Sequence, residues 1–441
     1  MPLINRCGGG SSFAAVIQVT YNSGAVCTCA NGSTTLTAPD TSGSVNFKVK
    51  RKGTWTITVE LGGNTETKEV SIITDGQVES LTVYAVQIYG ISRDITAASP
   101  AWARTDSAVG KTATAAVGTA AGSSDFNNCY PWSGIVRETL LTGDVMVKIP
   151  KFWYHRYRSG NVEYLKIADK ATTGFTLHPA FNHGGVAKDY LYVGAYKTSS
   201  DNKSASGGNP MVQSLTRETA RTKAKAKGTG WGIIDIAALS AIQMLILVEF
   251  ANNNVQSVIG RGYCDNNTHD SAASQTGTCD NVSGLTGRPD GTDGKVDVVW
   301  RGIESLWGNV WEWVDGVNWN SGTYYVCNDP SKYADDTATN YTALSFKGAI
   351  NWPSSSYITQ EGLDTGSNPH VMLPFATAGG SETTYYCDTC SSDTDWRTFR
   401  HGGDYNSGSK CGLFTATLSY GSSMSSVPYY GSGSRLLYIP Q

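Results

Sequence analysis

The sequence predicts an α+β protein in which a small all-β domain precedes a larger, loop-rich domain. Three observations favour this class. Residues 12–76 alternate polar and apolar side chains with a period of two, as half-buried strands do. Two later segments carry the start and stop residues of helices. Long loops and one tryptophan cluster follow them, so helices and strands do not alternate as they do around a parallel sheet.

Length and charge narrow the classes of function. A chain of 441 residues is too long for one ordinary core, so we expect at least two domains. The net charge is −3 and the basic residues are scattered, which argues against nucleic acid and against a polybasic membrane patch. The longest apolar run, residues 237–251, is interrupted by polar residues and is too short to span a bilayer, so we interpret it as a buried helix.

Residues 1–78 are predicted to form a small immunoglobulin-like β-sandwich. Residues 54–61 alternate as a strand, Gly62-Gly63-Asn64 makes a turn, and residues 65–73 return as a second strand. Shorter strands are expected upstream, over residues 14–20, 33–38 and 44–49. Such modules act as spacers or docking units, and nothing in this one suggests chemistry.

Residues 79–441 are predicted to form the second domain. Residues 145–154 are typical of a buried strand, or of two halves broken at Pro150. A helix is expected from its Thr216 cap to Lys227, where Gly228 ends it, and a second over residues 237–252 behind Asp235. Residues 307–313 are expected to form a compact aromatic strand.

The C-terminal segment, residues 400–436, has the composition of an antibody combining loop. Residues 404–434 contain nine Ser, five Gly and four Tyr, and only Asp404 and Lys410 are charged. Tyrosine supplies rigid amphipathic contact area, while Ser and Gly supply adaptable hydrogen bonds. A flexible tail has a similar composition, but Leu413, Phe414 and Leu418 punctuate the segment and the apolar residues 436–439 close it. We therefore expect an ordered surface that is pinned to a core at both ends.

Two motifs carry a resemblance to a known family. Gly308-Asn309-Val310-Trp311-Glu312-Trp313 and the later Arg400-His401-Gly402-Gly403-Asp404-Tyr405 resemble the G-N-V-W-E-W and R-G-G-S-W signatures of the formylglycine-generating-enzyme branch of the C-type lectin fold. His401 intrudes before the paired glycines, and Tyr405 stands where Trp is usual. From about residue 84 to 441 the chain resembles the variable proteins of diversity-generating retroelements, a family that includes phage tropism determinants.

The resemblance implies a C-type lectin-like second domain with two core helices and a diversified ligand-binding region. In that family the adenines of a template repeat are randomised, so that AAC codons become codons for Asn, Asp, Tyr, Ser, Gly, Thr, Val or Pro. By position and chemistry we expect the following exposed contact residues: Asp404, Tyr405, Asn406, Ser407, Thr415, Ser419, Tyr420, Ser423, Val427, Tyr429 and Tyr430. We assign to the structural scaffold Trp307, Gly308, Asn309, Trp311, Glu312, Trp313, Gly402 and Gly403.

The function that follows is a non-enzymatic receptor-binding protein at a phage or prophage tail-fibre tip. Its partners would be a host cell-surface protein or glycan, further copies of itself in a trimer, and other tail proteins through the N-terminal domain. Residues 1–10 show no secretory signal, in keeping with a virion protein made in the host cytoplasm. The alternative is a cell-surface or secreted bacterial adhesin of the same fold.

An enzyme is the competing class. The related formylglycine-generating enzymes use a pair of cysteines near the C-terminus, whereas this chain offers only Cys411 there, so we expect no catalysis. Cys387 and Cys390 form a lone C-x-x-C that is more typical of a loop than of zinc. Residues 290–297 fail the EF-hand spacing and are interpreted as a glycine-rich turn. We expect no metal and no cofactor, and we expect Glu312 to point into the core and bind loop amides.

Overall fold

The computed structural model describes residues 13–210, 215–266, 273–351, 354–421 and 432–441. Contacts divide the chain into two compact units, Met1–Ile88 and Tyr89–Gln441. The division falls after Ile88 rather than after residue 78, because the strand Val78–Val83 pairs in parallel with Ala15–Tyr21 inside the first unit. The chain is mostly β-structure with few helices, in agreement with the coarse α+β prediction.

The N-terminal unit is a sandwich of two sheets. Its strands are β1 (Ala15–Tyr21), β2 (Val26–Asn31), β3 (Thr34–Thr37), β4 (Ser44–Val49), β5 (Gly53–Leu61), β6 (Asn64–Ile72) and β7 (Val78–Val83). One sheet has the order β4-β1-β7 and the other β3-β2-β5-β6. Ile17, Phe47, Trp55 and Ile57 meet in one core between the sheets. The predicted strands are confirmed, while β2 and β7 were not predicted.

The described residues of the C-terminal unit form three α-helices and many short strands. Its helices are α1 (Arg217–Lys225), α2 (Ile236–Phe250) and α3 (Val255–Val258). Up to residue 200 its strands are β8 (Ile88–Asp94), β9 (Ala103–Asp106), β10 (Ala113–Thr114), β11 (Ala116–Val117), β12 (Ser123–Ser124), β13 (Val136–Thr139), β14 (Val145–Pro150), β15 (Trp153–Ser159), β16 (Val162–Ala168), β17 (Thr176–Leu177) and β18 (Tyr190–Gly194).

The remaining strands follow α1. Up to residue 350 they are β19 (Trp231–Ile233), β20 (Gly287–Arg288), β21 (Val299–Trp300), β22 (Ile303–Glu304), β23 (Trp311–Asn320), β24 (Thr323–Val326) and β25 (Thr342–Lys347). The last strands are β26 (Ser356–Tyr357), β27 (Gln360–Glu361), β28 (Pro374–Ala376), β29 (Thr389–Ser392), β30 (Trp396–His401), β31 (Ala416–Tyr420), β32 (Ser432–Gly433) and β33 (Leu436–Tyr438).

Three larger sheets build this unit around α2. Two five-stranded sheets have the orders β13-β14-β18-β33-β19 and β17-β15-β16-β8-β9, and the largest sheet has the order β25-β24-β23-β30-β31-β29-β26, with β32 beside β23. Every residue of α2 is buried. A helix that is apolar on all sides is stable only inside a core, so α2 forms the centre on which these sheets assemble.

Both predicted helices are confirmed, including their caps. Thr216 accepts from the amide of Thr219, and Asp235 accepts from that of Ala238. The break at Pro150 is also confirmed, because β14 ends there and β15 begins at Trp153. The aromatic strand predicted over residues 307–313 is wrong in its first half. Gly308 and Asn309 have positive φ angles of 78° and 66°, which a strand excludes, so β23 begins only at Trp311.

Candidate recognition site

The two sequence motifs lie against each other. The amide of Gly308 donates to the carbonyl of Gly402 (3.1 Å), and the amide of Tyr405 donates to the carbonyl of Asn309 (2.9 Å). Gly402 has a φ of 93°, and a Cβ there would lie 2.9 Å from the Leu306 carbonyl oxygen. Glycine is therefore required where the backbones meet. The first motif, through Gly308 and Asn309, therefore supports the turn that follows β30.

Glu312 anchors this support in the core. Both carboxylate oxygens accept from Arg435, at 2.6 Å for the shortest bond, and the Lys197 ammonium lies 3.0 Å away. Burial opposes ionisation, but Arg435 and Lys197 outweigh it and lower the pKa of Glu312 to about 2. The predicted orientation into the core is correct. The predicted partners are wrong, since two cationic side chains take the place of loop amides.

The turn after the paired glycines displays a small polar surface. The side chain of Asp404 accepts from the Ser407 hydroxyl (2.8 Å) and from the amide of Asn406 (3.2 Å). Asn406 is exposed, and Asp404 and Ser407 are half-buried. Tyr405, by contrast, is buried with 7% of its surface exposed, so the prediction that it is exposed is wrong. Its backbone is fixed between Asn309 and Asn266, which turns the ring inward.

Thr415 and Ser419 were also predicted to be exposed, and both predictions are wrong. Only 1% of Thr415 and 8% of Ser419 is exposed. Ser419 lies on β31, an interior strand between β30 and β29, where both faces are covered. Its hydroxyl donates to Ser391, and that of Thr415 donates to the Lys410 carbonyl. Small hydroxyl residues satisfy these buried acceptors, so this part of the segment belongs to the scaffold.

The side chain of Arg400, on β30, contacts residues of both β31 and β32. Its guanidinium carbon lies 4.0 Å from the ring centre of Tyr420, at the end of β31. Its Nη1 donates to the hydroxyl of Ser432, at the start of β32 (2.6 Å). Trp311 and Trp313 border the same guanidinium, at 5.4 and 5.2 Å. Tyr420 and Ser432 are therefore held over one buried cation. The predicted contacts Ser423, Val427, Tyr429 and Tyr430 lie outside the described residues.

No family model matches this chain, and no curated protein matches its sequence.

The scaffold residues of the sequence prediction surround this site. Trp307 donates from its ring nitrogen to the Gly260 carbonyl (3.1 Å), and Trp313 donates to that of Leu215 (2.7 Å). The side chain of Asn309 exchanges two hydrogen bonds with the backbone of Ser274, both of 2.9 Å. A Cβ on Gly403 would lie 3.1 Å from the Cys411 sulfur. These contacts hold neighbouring loops of the C-terminal unit in place next to the site.

Sequence reasoning missed the cations of the site. Arg435 stands between Ser434 and the apolar residues 436–439, a context in which an arginine is expected to be buried and paired. Lys197 carries no comparable signal, because nothing around it in the sequence indicates that Glu312 lies beside it. Arg400 was quoted as part of a motif, but its contact with Tyr420 depends on the pairing of β30 with β31.

The structure brings a second thiol to Cys411. Burial, and then a hydrogen bond with the Cys264 thiol, raise the pKa of Cys411 well above its usual value. Cys264 and Cys411 lie far apart in the sequence, so no local pattern indicates that they are in contact. Every cysteine in the described part of the chain is free and buried, including Cys387 and Cys390. Within the same residues, no cluster of three or more His, Cys, Asp or Glu could hold a metal ion.

None of the described helices is long and apolar enough to cross a membrane.

Proposed function

We propose that this protein is a non-enzymatic receptor-binding protein that presents a diversified Tyr/Ser/Gly-rich surface at a phage or prophage tail-fibre tip. The observation that carries the proposal is the shared anchorage of Tyr420 and Ser432 on Arg400. A chain segment whose two ends are fixed at one place can vary in sequence without disturbing the body that holds it. Combining loops of antibodies use the same principle.

The finer fold belongs to this proposal. We infer a C-type lectin-like domain for the C-terminal unit and an immunoglobulin-like sandwich for the N-terminal unit. The hydrogen bonds between the two motifs support the first inference, because they join Gly308 to Gly402 and Asn309 to Tyr405. The two-sheet topology with parallel β1 and β7 supports the second. The sandwich would dock the protein to other tail proteins.

The contact surface that we propose is smaller than the one expected from composition. Among the described residues it comprises Asp404, Asn406, Ser407 and Tyr420. Tyr405, Thr415 and Ser419 serve as scaffold because they are buried. A few aromatic anchors among small polar residues give modest affinity for each site. Several copies in a trimer would raise the effective concentration and hence the avidity for a host-surface protein or glycan.

The free thiols give no support to an enzyme of the formylglycine-generating type. A cysteine acts as a nucleophile through its thiolate. The high pKa of Cys411 keeps that thiol protonated at neutral pH, and Cys411 and Cys264 are both fully buried. We therefore propose a packing role for this pair.

Adsorption to host cells tests the proposal. The variant Asn406→Ser/Tyr420→Ser replaces both residues by one that the same template codon can produce. We expect adsorption to fall by at least about tenfold, the effect of losing roughly 1.4 kcal/mol of binding free energy. The matched control is Tyr84→Ala/Asn182→Ala, which removes an exposed Tyr and an exposed Asn elsewhere. Unchanged adsorption by a folded double-serine variant would overturn the site.

The genes next to the coding sequence distinguish a phage tail-fibre protein from a bacterial adhesin. A reverse-transcriptase gene with a template repeat that differs from the C-terminal segment at adenines supports diversification. Tail genes support a virion, and their absence together with a surface anchor would favour the adhesin.

A further inference from the structure

The C-terminal unit contains a cleft that the proposed function does not use. It has a volume of about 670 Å³, within the range of small-molecule sites. Three walls enclose it: the end of α1 with the glycine-rich chain that leads into β19, the loop over residues 183–188, and the loop over residues 329–333. Trp231, Ile233, Leu437 and Ile439 contribute apolar surface.

One glycine keeps the cleft open. Gly232 lies in the middle of β19, between the buried Trp231 and Ile233, and lines the cleft. A Cβ built on Gly232 meets no other atom within 4 Å, so a side chain there would project into empty space. Gly232 is absent from the glycines with positive φ, hence its backbone does not require glycine. Strand interiors disfavour glycine, and the space above Gly232 explains why one stands here.

The charged groups that line the cleft fall into paired and unpaired ones. Three carboxylates line it, and each has a partner: Asp315 pairs with Arg221 at 2.6 Å, Asp329 with Lys332 at 3.0 Å, and Asp235 with His183 at 2.7 Å. Two lining lysines, Lys188 and Lys225, form no ion pair with any described carboxylate. Lys225 donates to the Pro330 carbonyl at 3.2 Å. The unneutralised ammonium groups favour an anion.

A buried imidazole adds a polar group to the wall. His183 has only 4% of its side chain exposed, and its Nε2 is bonded to Asp235, which also accepts from the Tyr333 hydroxyl at 3.0 Å. Its Nδ1 has no hydrogen-bond partner among the described residues. A buried polar atom without a partner is costly. Because Nδ1 is itself sealed from solvent, a donor group of a ligand in the cleft would reach it only through a shift of the His183 ring.

We propose that this cleft binds a small organic anion, a carboxylate or phosphate carried on a body of the size of a sugar ring. The body would fill the space above Gly232 against the apolar wall, and the anionic group would lie between Lys188 and Lys225. Because none of these residues belongs to the C-terminal segment at 400–436, the ligand stays the same when that segment is diversified. Acidic sugars of a cell surface and free sugar phosphates share this chemistry.

Calorimetric titration of the whole protein tests the inference. The probes are N-acetylneuraminate and glucuronate for surface sugars, glucose 6-phosphate for free metabolites, and glucose as the neutral reference. We expect at least one acidic probe to bind and glucose not to bind. The acid that binds identifies the source. If no acidic probe binds, or if glucose binds equally well, the inference is overturned.

Three variants locate the binding. Gly232→Leu fills the space without a backbone clash and should abolish binding while the melting temperature is retained. Lys188→Glu/Lys225→Glu should weaken binding by at least about tenfold. Lys223→Glu is the matched control, since it reverses a charge in the same last turn of α1 but outside the cleft, and should bind as the parent does. Full binding by Gly232→Leu would refute the site. The host-adsorption assay is independent of this outcome.

Discussion

The cores of the two units of this chain contain different kinds of side chain. The described residues of the N-terminal unit bury no charged side chain, and its core is built from residues such as Ile17, Trp55 and Ile57. The C-terminal unit buries arginines, a lysine and carboxylates. Arg435 donates to the carbonyls of Gly194, Glu304 and Ser305, as well as to Glu312.

The difference follows from the backbone. In the sandwich the sheet ladders satisfy most peptide groups, so apolar side chains alone can fill the space between the sheets. The C-terminal unit buries many irregular loops, whose carbonyls find no ladder partner. Buried guanidinium groups take that role, because each has five donors. Arg156 binds the Val371 carbonyl in a loop, and Arg217 binds those of Val314 and Val317, where the pairing of β23 with β30 is interrupted. A loop-rich core therefore needs charge where a sheet core does not.

The largest expected effect tests this role of arginine. Arg435→Met keeps the length of the side chain but leaves three carbonyls and the Glu312 carboxylate with fewer donors. We expect the free energy of unfolding of the C-terminal unit to fall by about 3–5 kcal/mol, as when one partner of a buried pair is removed. Urea unfolding measures it. Arg397→Met is the control, since its partly exposed ion pair with Asp393 is worth about 1 kcal/mol. Equal losses would contradict the comparison.

Truncation of a buried side chain tests the apolar core of the N-terminal unit. Ile57→Ala removes a fully buried side chain from an apolar core and should cost about 2–5 kcal/mol, confined to the N-terminal unit. Scanning calorimetry separates the two transitions. Val26→Ala, on a half-exposed side chain, should change the stability by less than about 0.5 kcal/mol. A shift of both transitions by Ile57→Ala would show that the units do not melt separately.

A smaller effect is expected beneath the recognition site. Arg400→Met keeps the apolar stem but removes the cation beside Tyr420 and the donor to Ser432. We expect a loss of roughly 2 kcal/mol, the value of a desolvated cation–π contact. Host adsorption should fall with it, because the ends of the variable stretch lose their common anchor. Unfolding and adsorption measured on one preparation would separate the two effects. Intact adsorption would argue against anchorage by Arg400.

The last expected effect concerns the slope of the free energy of unfolding with pH, not its value at one pH. Burial raises the pKa of Asp388 to about 8, above its unfolded value of about 4. The folded protein thus retains a proton that the unfolded chain releases, so this contribution to stability is complete below about pH 4 and is lost as the pH rises towards 8. Asp388→Asn should reduce the slope by at most about 1.4 kcal/mol per pH unit. Glu361, whose pKa burial also raises to about 8, keeps part of it.

Urea unfolding from pH 4 to 8 measures this slope. Asp393→Asn is the control, because Asp393 lies at the surface and its pKa is lowered by a hydrogen bond with Arg397. An unchanged slope in Asp388→Asn would show that the buried carboxyl group ionises alike in both states.

The sequence predicts the regular parts of this chain well. The strands at residues 54–61 and 65–73 and both helices with their caps follow from period and end signals, which are local. The contact residues were predicted less well. Composition predicted a Ser/Tyr-rich surface, but Thr415 and Ser419 satisfy buried acceptors instead. Whether a small hydroxyl residue faces solvent or a neighbouring strand depends on long-range pairing, which no local pattern encodes. The same holds for Lys197 beside Glu312.

The common anchorage of Tyr420 and Ser432 has a consequence for length as well as for sequence. The entropy cost of closing a chain between two fixed points grows only logarithmically, so doubling the number of residues costs about 0.6 kcal/mol. We therefore expect codons added or removed between Tyr420 and Ser432 to change the free energy of unfolding of the C-terminal unit little, provided that both contacts with Arg400 are kept. Under the proposed function, such changes of length would extend the range of receptor shapes beyond what exchange of side chains alone would give.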